Sequence, residues 1–234
     1  MTAVVERVVL VLVEAGLETV PAEISEHPAV RKFASRKGKK PTQVLLDRSY
    51  HHHAMKPLKN GHKRGRPDIV HFCLLEALGS PLNNEGLLEV YVSTLGGYTL
   101  EVNTQVRLPR VYERFKGVIE QLFEKGVVEA ETGEVLLRLE KEPLEKLLAR
   151  IKPSLKVLLS ERGSVMSSSE IGRLLDSPRP AFMVGAFPHG DFTPETRRLA
   201  DVEVSIWGRT LDAWTVVSRV LCWAEQAVLT AGKT

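Results

Sequence analysis

Arg64, Arg66 and Asp68 fall within five residues in "RGRPD", and Arg107, Arg110 and Arg114 fall within eight in "VRLPRVYERF". Guanidinium forks are planar, permanently charged and matched to the paired oxygens of phosphate. Three of them around the start of one helix read either as a site for an anion or as partners for carboxylates such as Glu113. With Pro109 opening that helix, Arg110 and Arg114 are spaced i, i+4 and share one side of it. Leu108 precedes a proline and is held extended, so Arg107 is expected to project from an entry strand and not from the helix surface. Asp68 has two readings. It holds Arg66 or caps the helix that follows, or it accepts a proton from a bound substrate.

A second group of residues lies in the C-terminal half. "LKVLLSERG" (155–163), "FMVGAFPHGDF" (182–192) and "VEVSIWG" (202–208) are each an apolar run that ends in small residues. In an open α/β sheet, ligands bind beyond the carboxyl ends of the strands. Glycines there let the backbone approach a ligand, and bare amides and carbonyls can read a base such as adenine. One such junction is an ordinary strand-to-loop turn, but three in consecutive units favour a small-molecule pocket. The chain has no GxGxxG, no Walker loop and no GxSxG, which argues against a standard dinucleotide fold, an NTPase and a serine hydrolase. The triplet His51, His52 and His53 sits inside a basic stretch, and adjacent histidines point apart, so no metal site is expected. His62, His71 and His189 are isolated and read as structural or solvent-facing.

Charge sharpens the first group. Residues 31–66 hold twelve Lys or Arg against the single acid Asp47, so this block carries +11 while the whole 234-residue chain carries only +3. A basic block on an otherwise acidic protein is an address for a polyanion, with a nucleic acid backbone as the leading partner and a solvated loop as the alternative. Hydrophobic residues make up 43% and charged residues 26%, ordinary values for a globular chain of one large or two small domains. Cys73 and Cys222 are far apart and form no CxxC, which suits a reducing compartment. The apolar run Val8–Val13 is too short for a signal sequence or a membrane span, so a cytoplasmic protein is expected.

The elements that must carry these residues follow from pattern. Val8–Val13 and Val44–Leu46 read as short buried strands, and "HPAVRKFASRKG" as a helix ending at Gly38. Residues 48–65 show no periodicity and read as a long basic loop. Pro67 opens a helix that Gly79 closes, with Asp68 in its first turn. "LLEVYVST" and "YTLEV" flank Gly96-Gly97 as a hairpin, taken as an antiparallel insertion. A helix runs from Pro109 to Gly126, "EVLLRLE" is a strand and "EPLEKLLARI" a helix. Strand 155–159, a helix capped by "SSSE", strands 182–186 and 202–206 and a final helix over about 211–229 complete an α/β alternation. Trp214 and Trp223 on that final helix read as core or subunit contacts.

Taken together, "LLDRSYHHHAM", "RGRPDIVHFCLLEALGSPLN", "LEVYVSTLGGYTLEVN", "VRLPRVYERFKGVIEQL", "VGAFPHGDF" and "VSIWGRTLDAWTVVSRVL" resemble, in order, the Nep/Emg family of small-subunit ribosomal RNA methyltransferases. The resemblance implies one SPOUT-type α/β domain over residues 1–234, with a largely parallel sheet and a C-terminal trefoil knot over about 155–234. It also implies a basic RNA-binding segment over about 31–66. It further implies S-adenosylmethionine as cofactor, an obligate homodimer, and methylation of N1 of a pseudouridine in small-subunit rRNA, with a role in ribosome biogenesis. By motif, Arg66, Arg107, Arg110 and Arg114 fall at RNA-binding positions, and Asp68 at the position that orients Arg66 or takes a proton. Leu158, Leu159 and Ser160, Gly185 and Gly190, and Glu203, Val204, Ser205, Ile206, Trp207 and Gly208 fall at cofactor-binding loops. Trp207 departs from the family's tyrosine; a backbone contact there survives the change and a phenol contact does not. Two alternatives remain: a non-catalytic rRNA-binding assembly factor, and a related methyltransferase acting on another RNA such as tRNA.

Overall fold

The computed structural model describes residues 5–229. Val8–Ala15 forms strand β1, and all eight of its residues are buried. A strand covered on both faces has no reason to alternate with polar residues, which explains the unbroken apolar run. Its neighbours are β2 (Leu88–Thr94) and β7 (Pro180–Gly185), both parallel to it. Outward from β7 come β6 (Leu155–Val165) and β8 (Val202–Ser205), again parallel. Beyond β2 lie β3 (Thr99–Val102), β5 (Val135–Glu140) and β4 (Val127–Glu129), all antiparallel. The sheet therefore runs β4-β5-β3-β2-β1-β7-β6-β8, a mostly parallel α/β arrangement as expected.

The described helices are α1 (Pro28–Arg36), α2 (Arg48–His51), α3 (Pro67–Gly79), α4 (Pro81–Asn84), α5 (Tyr112–Lys125), α6 (Leu144–Ile151), α7 (Ser168–Leu174), α8 (Pro194–Arg198) and α9 (Ala213–Leu229). They cover both faces of the sheet. Val8, Leu10 and Leu12 point to one side, where Val70 and Leu74 of α3, Phe115 and Ile119 of α5 and Val217 of α9 complete a large core. Val9, Val11 and Val13 point to the other, against Leu147, Leu148 and Ile151 of α6. The two-residue alternation of a strand makes this division.

Several expectations are corrected. Val44–Leu46 is buried but is no strand. It forms one isolated bridge, Thr19 to Leu45, because the turn at Pro41–Gln43 and the start of α2 leave only four residues between them. The stretch 48–65 is no open loop. Ala54, Met55 and Leu58 join Val20, Val30, Ala34, Val44 and Leu46 in a third small core, so the basic segment is folded. The hairpin is not an insertion: β2 lies in the parallel centre of the sheet, and Gly97 (φ +75°) turns the chain into β3. Finally, α5 begins at Tyr112 rather than Pro109, so Arg110 sits in the turn before the helix and not on its side. The Pro109 carbonyl is taken by His71 Nε2 at 2.8 Å, which removes it from any helical ladder.

β6 is longer than its apolar part implied. Val204 of β8 pairs with Leu159 and again with Ser164, so residues 160–163 cross between two stretches of β6 that share one partner. Gly163 makes that crossing possible: a Cβ there would lie 2.5 Å from the backbone N and C of Val204.

Candidate functional site

The crossing within β6 and the carboxyl ends of β7 and β8 open on one cleft of about 840 Å³. Leu159, Ser160, Gly185, Gly190, Ser205, Ile206 and Trp207 line it, as the strand-end pattern predicts. Leu158 and Val204 do not. Each points into a core, Leu158 among Val11 and Met183 and Val204 among Leu159 and Val217. Glu203 does not line it either and pairs with Arg197. Gly208 lies in the turn between the lining residues Trp207 and Arg209 without lining the cleft itself.

Close approach of backbone to neighbours explains both lining glycines. A side chain at Gly185 would meet the rings of Phe187 and Phe192 at 2.8 and 2.9 Å, and Gly190 has φ of +100° with the His62 ring 3.1 Å from where its Cβ would be. Phe187, Asp191, Phe192, Glu161 and Arg162 line the cleft as well. They stand in the stretches 155–163 and 182–192, next to the expected Leu158–Ser160, Gly185 and Gly190, and carry no local signal of their own. Asp191 is held by Arg162 at 2.9 Å and by Arg197. The mixed rings, carboxylates and bare backbone, in a volume inside the roughly 300–1,000 Å³ typical of small-molecule sites, fit a nucleoside-sized ligand.

Arg66 lines the same cleft from the opposite element, immediately before α3. Asp68 grips it with both oxygens: Nε donates to Oδ1 at 2.8 Å and Nη2 to Oδ2 at 2.7 Å. This hydrogen-bonded pairing raises the Arg66 pKa further, against the opposing effect of burial. Among the two readings of Asp68, the geometry realises the one that holds Arg66. Of the first group, Arg66 is thereby brought to the cleft formed by the second, while Arg64, Arg107, Arg110 and Arg114 do not line it.

Arg107, Arg110 and Arg114 are exposed, and none makes an ion pair or side-chain hydrogen bond among the described residues. Glu113, the carboxylate that could have neutralised them, pairs instead with Lys116 at 2.6 Å and Lys37 at 3.7 Å. The Pro109–His71 bond ties their turn to α3, the helix that carries Asp68.

The basic block is spent more heavily on structure than its +11 implies. Lys63 pairs with Glu14, Arg64 with Glu18, Arg66 with Asp68, and Lys37 and Lys39 with the buried Glu120. Lys32, Arg36, Lys56 and Lys59 remain exposed without such partners among the described residues. The block is anchored to α5 by a buried cluster. Asp47 caps α2 through the Ser49 amide (2.9 Å) and accepts from Tyr112 Oη (2.9 Å) and Lys116 Nζ (3.0 Å). Burial alone would raise the Asp47 carboxyl, but these bonds and the Lys116 charge hold it below its ordinary value. His51 is fully buried and accepts the Asp47 amide at Nδ1, which requires a neutral ring. Burial pushes its pKa down to about 4, consistent with that bond. His52 and His53 are exposed, and no cluster of three His, Cys, Asp or Glu with metal-holding geometry exists among the described residues.

The sequence model of the EMG1/NEP1 methyltransferase family matches residues 10–225. The ribosomal RNA small subunit methyltransferase Nep1 of Thermococcus kodakarensis is 46% identical over 220 residues, covering 94% of this chain and 98% of its own. That of Pyrococcus furiosus is 43% identical over 225 residues, 96% and 99% of the two chains. The crystal structure of Archaeoglobus fulgidus Nep1 bound to S-adenosylhomocysteine superposes with a TM-score of 0.86 at 43% identity, over 94% of this chain and 98% of that one. Matched from β1 into α9, with the fold shared across nearly its whole length, the chain belongs to the EMG1/NEP1 methyltransferase family.

Proposed function

We propose that this protein is an S-adenosylmethionine-dependent methyltransferase of small-subunit ribosomal RNA, that its target atom is N1 of a pseudouridine, and that it works as a homodimer in the cytoplasm during subunit assembly. The observation that carries the reading is the shared cleft, with glycine-bearing strand ends on one side and the Asp68-held Arg66 on the other. The relatives named for rRNA methylation and the neighbour bound to S-adenosylhomocysteine support the donor and the RNA class.

The residues present fit that donor. The backbone around Gly185 and Gly190, the Leu159–Ser160 edge and the turn Ser205–Trp207 would hold it. Ser205 Oγ donates to the Trp207 carbonyl at 2.6 Å, so this turn is held through its backbone whichever aromatic ring stands at 207. When bound, the donor supplies an electrophilic methyl on a sulfonium. The chain's own work is placement, because an in-line transfer gains most from holding the acceptor nitrogen in line with the methyl. The base must leave its stack at a cost of about a few kcal/mol. Arg66 at the cleft mouth and the free forks of Arg107, Arg110 and Arg114 would offset this through phosphate contacts. Asp68 orients Arg66. Serving as proton acceptor would require it to give up a carboxylate already engaged on both oxygens.

Two further parts of the reading rest on particular features. The pairing of Val204 with both Leu159 and Ser164 supports a knotted crossing. A groove of about 350 Å³ between α3, the start of α4 and α9, lined by Leu75, Leu221 and the exposed Cys222, supports a subunit contact, which sedimentation would measure.

The deciding experiment incubates the protein and labelled S-adenosylmethionine with rRNA hairpins carrying pseudouridine or uridine, and with tRNA loops. Label is expected at N1 of pseudouridine only. Methylation of uridine, or preference for tRNA, would refute the substrate. Binding of rRNA with no detectable S-adenosylhomocysteine binding by calorimetry would leave only an assembly factor. Arg110→Ala and Arg114→Ala are each expected to weaken hairpin binding and to flatten its log–log salt dependence by about 0.7 per lost single-strand phosphate contact. Unchanged slopes would remove these arginines from the interface.

A further inference from the structure

A buried ion pair braces the cleft from behind. Glu14, next to last in β1, has φ of +51°, left-handed backbone rarely adopted by a residue with a side chain. Its Oε2 accepts from Lys63 Nζ at 2.6 Å, and its Oε1 accepts from the Thr193 amide at 2.8 Å. Both side chains are only 7% exposed. Lys63 Nζ donates in addition to the carbonyl of Asp191 and lies 4.3 Å over the ring of Phe187. Phe187, Asp191 and Thr193 all belong to the loop after β7, and the first two line the cleft.

We infer that Lys63 is a positioning residue for the cofactor, and that the Glu14–Lys63 pair latches the loop 187–193 in its binding shape. This rests on the reading of the cleft as an S-adenosylmethionine site. Stability alone does not call for the pair, since a buried ion pair replaced by well-packed apolar residues is often neutral or stabilising. What an apolar pair cannot supply is direction. An ammonium offers three donors and no acceptor, and here its hydrogens go to a carboxylate and to a loop carbonyl while its charge sits on a loop ring. The glycines record the same closeness. A Cβ on Gly190 would meet His62 at 3.1 Å and Lys63 at 3.3 Å, and a Cβ on Gly16 would meet the Lys63 carbonyl at 2.5 Å. The last turn of the basic segment is thus the outer wall of the cofactor loop. The Asp191 carboxylate has its own anchors in Arg162 and Arg197, so Lys63 acts on the loop's backbone.

The test measures S-adenosylhomocysteine binding by calorimetry, together with the thermal midpoint, on the full chain. Lys63→Met alone strands the Glu14 carboxylate, so both affinity and midpoint are expected to fall, affinity by at least tenfold. The double variant Glu14→Gln/Lys63→Met separates the causes. The carboxamide that replaces the Glu14 carboxylate carries no charge and keeps an oxygen for the Thr193 amide, so the midpoint is expected to recover. The Asp191 carbonyl still lacks its donor, so affinity is expected to stay at least tenfold weak. Recovery of affinity to within twofold of the unsubstituted protein would overturn the inference. If the unsubstituted protein binds no S-adenosylhomocysteine, the reading of the cleft fails instead. Amide exchange over residues 187–193 then decides the latch: faster exchange in the double variant supports it, and unchanged exchange overturns it.

Discussion

Asp47→Ala is expected to cost about 3–5 kcal/mol in urea unfolding at pH 7. The removed carboxylate is the acceptor for Lys116, whose side chain is 1% exposed, and for the Tyr112 hydroxyl. Its loss leaves a buried ammonium with Glu113 as its remaining carboxylate, and Glu113 is half exposed at 53%. It also uncaps α2. Tyr112→Phe removes a single neutral donor from the same cluster and is expected to cost only about 1 kcal/mol. The sign of the acid dependence follows from the shift. Asp47 is held below its ordinary value of 3.8, so its contribution is fully present above that pH and is lost as pH falls through the lower folded-state value. The gap between the unsubstituted protein and Asp47→Ala should therefore be flat near neutrality and close only below about pH 4. A cost under about 1 kcal/mol at pH 7 would show that the cluster is not what holds the basic segment to α5.

Gly163→Ala is expected to be still more damaging. The added Cβ would stand 2.5 Å from the backbone N and C of Val204 and 2.6 Å from its Cα. Val204 lies in the edge strand β8 but is fully buried and paired with β6 on either side of the crossing, which holds its backbone in place. Overpacking ordinarily costs about 1–3 kcal/mol, but a clash with paired backbone belongs to the exceptional class of about 4 kcal/mol or more. In a chain of this size that is about 10 °C in thermal midpoint, or loss of soluble protein. Gly172→Ala in α7 is the control. No atom lies within 4 Å of the new methyl, so helix propensity makes it neutral or stabilising by up to about 1 kcal/mol. A normal midpoint for Gly163→Ala would mean that the two stretches of β6 do not pass Val204 as described.

The alternation of elements, and with it the α/β class, was legible because burial on two faces writes itself into composition. The apolar run of β1, the capping box Ser167–Glu170 before α7 and the Pro67-to-Gly79 span of α3 are local signals and appear where they were read. The strand ends were legible for the same reason, and most of the residues picked from them line the cleft. What failed were boundaries and partners set from a distance. The start of α5 depends on His71, thirty-eight residues earlier, taking the Pro109 carbonyl. The turn of Leu158 and Val204 into the core depends on which face of β6 and β8 meets the helices.

By itself the sequence determined the kinds of residue available: guanidinium forks ahead of two helices, small residues at three strand ends, and a strongly basic stretch. Only the tertiary structure decided which of those charges are free. Glu14, Glu18 and Glu120, none of them in the basic block, neutralise Lys63, Arg64, Lys37 and Lys39, while Glu113 turns to Lys116 and leaves Arg110 and Arg114 unpaired among the described residues. Charge is a property of a residue and is written in the chain. Compensation is a property of a distance of a few ångströms between residues far apart along it, and it exists only once the sheet has brought them together.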